Sequence, residues 1–96
     1  MAIVTQVVLD VLKPHQPNVL DFASQLADLG ENYRVNLVVQ EVDDKTQSII
    51  LNINGDDIDF IAIAQHINAM GGAVHSIDEV NVRSEPKVKK TVGQGF

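Results

Sequence analysis

Between Ile3 and Lys13 the chain sets Val, Leu and Ile on both alternating faces. That is the pattern of a central strand covered on one side and partly covered on the other. Pro14 and Pro17 stop the run and start a helix, proline being tolerated in a first helical turn. Asn18, three residues before Asp21, suits the N-cap, and Val19, Phe22, Ala23, Leu26 and Leu29 repeat at helical spacing. Gly30 suits the left-handed position that ends such a helix. From Tyr33 to Asp43 the period falls to two. Tyr33, Val35, Leu37 and Val39 share one face, with Arg34, Asn36, Val38 and Gln40 on the other. DDKT at 43–46 is a turn, and Ser48 to Asn54 alternates again with Ile49, Leu51 and Ile53 facing the same layer. NGDD at 54–57 closes this hairpin and opens a second helix with the stripe Phe60, Ile63, Ala64, Ile67 and Met70. Gly71 and Gly72 end it, 73–83 form a last strand, and 84–96 are a tail.

This order, β-α-β-β-α-β, is that of a split βαβ unit. It predicts an α+β two-layer sandwich: a four-stranded antiparallel sheet in the order 4-1-3-2, with both helices on one face. Residues 1–85 form the domain and 86–96 a basic C-terminal tail. The other sheet face would carry Gln6, Val8, Asp10, Leu12, Arg34, Asn36, Val38, Gln40, Ile50 and Asn52. That mixture is too apolar for a solvated surface and too polar for a core, and self-association covers it most simply.

Composition narrows the chemistry. The chain has no cysteine, which excludes disulfides, a thiolate nucleophile and thiolate metal sites. All 13 acidic residues lie in 1–85, which carry a net charge of −9, whereas Lys87, Lys89 and Lys90 give the tail +3. An acidic body argues against nucleic acid as a partner, because phosphate binding needs clustered Lys and Arg. No basic leader and no apolar run of membrane-spanning length is present, so the expectation is a cytoplasmic protein without a membrane partner.

Candidate chemistry gathers in LDVLKPHQP at 9–17 and GGAVHSIDEV at 71–80. In the 4-1-3-2 order the end of the first strand meets the start of the fourth, so Asp10 comes close to His75 or its neighbour. A carboxylate beside an imidazole forms a pH-sensitive pair, a metal site or a general base, or else a structural hydrogen bond. Asp78 and Glu79 follow at spacings of three and four. On a regular strand His75 and Glu79 share one face and Asp78 takes the other, so all three hold one ion only across a bulge or a subunit interface. His15, between two prolines, marks a binding lip or simply sets a turn, and His66 lies opposite the second helix's core stripe, on the exposed side. Asp56, Asp57 and Asp59 crowd the first turn of the second helix as caps, Asp56 and Asp59 with capping-box spacing. Glu41, Asp43 and Asp44 are turn residues, with Glu41 a further candidate for a metal cluster. There is no nucleophile–base pair, Rossmann fingerprint or phosphate-cradling loop.

DVLKPHQP, VNLVVQEVDDKT and NGDDIDFIAIAQHINAMGGAVHSIDEV resemble archaeal domain-of-unknown-function family 211, over about residues 3–82. The resemblance implies a ferredoxin-like fold, a homo-oligomer and metal binding, with calcium as the first candidate ion. It implies no established activity and no organic cofactor. LGENYRVN stands where a Gly-rich helix-to-strand turn is more usual, and Ile61 and His66 also depart from the pattern.

The expectation is therefore a homo-oligomeric, non-enzymatic module of regulatory or scaffold role. It would bind a divalent cation, calcium first, at Asp10, His75, Asp78 and Glu79, or else a small ligand. The alternatives are a small enzyme using an Asp10–His75 acid–base pair at a subunit interface, and a purely structural assembly protein.

Overall fold

The computed structural model describes residues 2–85, so the basic tail at 86–96 lies outside the described residues. The strands are β1 (Ala2–Pro14), β2 (Arg34–Val42), β3 (Thr46–Asn54) and β4 (Ala73–Ser84), and the helices α1 (Val19–Ala27) and α2 (Phe60–Ala69). They form one antiparallel sheet in the order β2-β3-β1-β4, which is the expected 4-1-3-2 order, in a ferredoxin-like α+β fold. No helix among the described residues is long and apolar enough to cross a membrane.

From Val7 to Lys13 the odd residues of β1 face the helices, and before a register shift at Thr5 it is Val4 that packs against the core. Val7, Leu9 and Val11 pack with Ile49, Leu51 and Ile53 of β3 against Phe22 and Leu26 of α1 and Ile63 and Ile67 of α2. These branched and aromatic side chains, all essentially removed from water, are the main stabilising burial of the domain.

Local signals fix the element ends, not always where the sequence suggested. Asn18 caps α1 as expected, its Oδ1 accepting from Asp21 N at 2.9 Å. Gly30 does not supply the left-handed residue after α1; Asn32 does, with φ 62°. Gly30 instead makes room, because a Cβ there would lie 2.4 Å from the Tyr33 ring. Asp56 and Asp57 precede α2 and form no capping box. Asp59 alone is the N-cap, accepting from Ala62 N at 3.1 Å, while Asp56 Oδ2 accepts from Asn32 Nδ2 at 3.0 Å. The Tyr33 hydroxyl accepts from Asp59 N at 2.7 Å, tying the α1–β2 connection to the start of α2. His66 is half-buried rather than exposed: its Nε2 meets Gln25 Oε1 of α1 at 2.8 Å.

Candidate functional site

The pairing of the four strands turns the open face into rows that run across the sheet. Arg34, Asn54, Gln6 and Asn81 make one row, and Asn36, Asn52, Val8 and Glu79 the next. Val38, Ile50, Asp10 and Ser76 follow, and then Ser48, Leu12 and Ala73. The first two rows are joined by amides. Asn81 Nδ2 donates to Gln6 Oε1, Gln6 Nε2 donates to Asn52 Oδ1 at 2.9 Å, and Asn54 Nδ2 donates to the same oxygen at 3.2 Å. The lower rows are more apolar, and there Val38 and Leu12 stay exposed.

β4 departs from a regular strand at two points. Asp10 opposes Ser76 while Val11 opposes Val74, so His75 is skipped; Val8 opposes Glu79 while Leu9 opposes Ile77, so Asp78 is skipped. Both residues are bulge positions, where a side chain is re-aimed and the ladder is locally broken. Regular alternation would set Ser76 and Glu79 on opposite faces; with the bulges both stand in the open-face rows, with Asp10 and Val8.

Asp10 and His75 do come together. With Leu12 and Ser48 they line a recess of 270 Å³ on the open face. No hydrogen bond links the carboxylate to the ring; the two residues border the same recess. Asp78 does not line the recess and instead accepts from Ser76 Oγ at 2.7 Å. Glu79, one row away, does not line it either, and Glu41 is at the β2 end of the sheet. Among the described residues no three His, Asp or Glu side chains lie close enough to hold an ion. A divalent cation thus finds one carboxylate and one imidazole per chain. Calcium takes six to eight oxygens, whereas an imidazole suits zinc, copper, iron or nickel better.

His15 is elsewhere. Its Nε2 lies 2.7 Å from Asp43 O, and because a carbonyl only accepts, that nitrogen carries the proton. It fastens the β1–α1 loop to the β2–β3 turn, which is the turn-setting role.

One group was not anticipated. Lys13 is fully buried at 0 % exposure on the helix side of β1. Its Nζ donates to Pro14 O at 2.7 Å and Gln47 Oε1 at 2.9 Å, and lies 5.4 Å from the centroid of the Phe22 ring. It has two neutral acceptors and a π face but no carboxylate. Burial holds its pKa below the ordinary lysine value. The signal was its parity: Lys13 continues the odd series Val7, Leu9, Val11 that points into the core.

Residues 5–90 match domain-of-unknown-function family 211, described as uncharacterised ArCR. The uncharacterised protein MJ0319 of Methanocaldococcus jannaschii is 42 % identical over 77 residues, which cover 80 % of this chain and 79 % of that protein. The chain therefore belongs to domain-of-unknown-function family 211.

Proposed function

We propose that this chain is a self-associating, non-enzymatic module that binds a divalent cation at the Asp10–His75 recess, in a regulatory or scaffold role. The observation that carries the reading is the recess itself: β1 supplies Asp10, and a bulge in β4 supplies His75, to one space on an otherwise uncovered sheet face. Two ligands per chain are too few for a stable ion site, so a second copy would complete the shell. Calcium remains the ion that the acidic composition suggests, and His75 is the reason to test zinc beside it.

The test is calorimetric titration of chelator-stripped protein with calcium and, separately, with zinc. Saturable binding that is lost in Asp10→Asn and His75→Ala, and kept in Asp21→Asn, supports the reading. Failure of either ion to bind, or binding indifferent to both substitutions, removes it. Asp78→Asn tells whether the neighbouring bulge contributes a ligand.

A further inference from the structure

A second recess, of about 500 Å³, lies towards the other end of the sheet from Asp10 and His75, where β1 and β2 begin and β3 ends. That size suits a small molecule. Three segments build its walls and are tied to one another. Thr5 is skipped in the pairing of β1 with β4, since Val4 opposes Val82 and Gln6 opposes Asn81. The carbonyl of this bulged residue accepts from Gly55 N at 3.0 Å, and Val4 O accepts from Ile58 N at 2.8 Å, which stitches the β3–α2 loop to β1. Tyr33 forms a fixed wall. Its hydroxyl is held by Asp59 N, and its ring comes so near the loop that a Cβ on Gly55 would lie 2.9 Å from Cδ1. Asn32, with its left-handed backbone, brings its amide to Asp56 and donates to Oδ2 at 3.0 Å. The recess is thus organised before any ligand enters, which lowers the cost of binding.

Its charges are of both signs. Arg34 and Asp56 border the same space, yet Arg34 has no hydrogen bond or ion pair among the described residues, and Asp56 uses only one of its two oxygens. A metal ion here would meet a guanidinium, and a simple anion would meet a carboxylate. A ligand with one charge of each sign satisfies both. The planar fork of Arg34 takes a carboxylate through two N–H donors. An ammonium has three N–H donors, and the lining residues leave three acceptors for them. These are the second oxygen of Asp56, Asn54 Oδ1, whose amide nitrogen already donates to Asn52, and Thr5 Oγ1, which donates to Asn81 O and keeps its lone pairs. We propose that this recess binds a small zwitterion of the free α-amino acid class, its carboxylate on Arg34 and its ammonium towards Asp56. The site shares no residue with the Asp10–His75 recess and does not depend on the cation reading.

Tyr33 supplies the readout, because it is the single tyrosine of a chain without tryptophan, so intrinsic fluorescence reports on this wall. The probe is L-alanine, with acetate and methylammonium as its two halves, and the amide signals of residues 32–56 are followed by NMR in parallel. Alanine should give a saturable change in both signals that neither half gives at the same concentrations. Arg34→Gln and Asp56→Asn should each weaken alanine binding about tenfold or more. Both residues are exposed, so neither change touches the core, and an asparagine at 56 keeps an oxygen for Asn32. Lys45→Gln, in the β2–β3 turn, should bind as the unaltered chain does. Acetate that binds as well as alanine and is indifferent to Asp56→Asn marks a plain carboxylate site and overturns the zwitterion. No saturable change in either signal, or binding that survives both substitutions, overturns the site itself.

Discussion

Lys13 is the residue whose environment is most at odds with its chemistry. A buried ammonium group with neutral acceptors and no carboxylate partner among the described residues favours its neutral form, so its pKa in the folded state lies below that in the unfolded chain. Between those two values the unfolded chain binds more protons, and stability rises with pH. The penalty is fully present below the folded pKa and fully relieved above the unfolded value near 10.5. We predict that urea unfolding followed from pH 8 to 10.5 shows this rise in the wild-type protein and loses it in Lys13→Met. At pH 7 that substitution should change stability by no more than about 1 kcal/mol, since it removes two hydrogen bonds and a desolvation cost together. A loss of several kcal/mol would mean that the charge itself holds the β1–β3 end together. The burial was legible only by parity, because a lysine at a strand end is ordinarily read as leaving the core. His66 shows the opposite problem. Its helical position was clear, but the Gln25 contact depends on how closely α1 and α2 approach, which no spacing within one helix reports.

At the scale of elements, periodicity located every strand and helix, because each buries one side against the same core. What it missed were boundaries and irregularities. Helix α2 starts at Phe60 because Asp59 takes the cap and Tyr33 accepts that residue's N–H, whereas the acidic run beginning at Asp56 offered several equivalent starts. Asp59→Ala should therefore cost about 1 kcal/mol in chemical denaturation, and Asp57→Ala little. Equal effects would show that the dipole, not the cap, is what the acids serve. The two bulges of β4 were not legible either. They arise where two strands of unequal count must stay in register over one core, a property of the pair rather than of either sequence. The meeting of Asp10 with the region of His75 was legible, since it follows from strand order alone; that His75 itself is the displaced residue does not.

Among the described residues the sheet has one face covered by helices and one uncovered, with β2 and β4 at its edges. An open face joined by an amide network at one end and half-apolar at the other can remain in water, but it gives little reason for a lone domain to keep Val38 and Leu12 there. If copies pair as proposed, folding becomes coupled to association. The melting temperature should then climb as protein concentration is raised from micromolar to hundreds of micromolar. A melting temperature independent of concentration would mark the domain as stable by itself.

The bulge at His75 also makes the length of β4 negotiable. Val74 and Ser76 already oppose consecutive residues of β1, so His75 is surplus to the ladder. A chain lacking that one residue could close the gap with every other side chain on its present face. It would retain the sheet while the recess lost a wall, which makes the deletion a gentler lesion than its position inside a strand suggests. Loss or retention of the recess can thus be a single-codon event, separable from the inheritance of the fold.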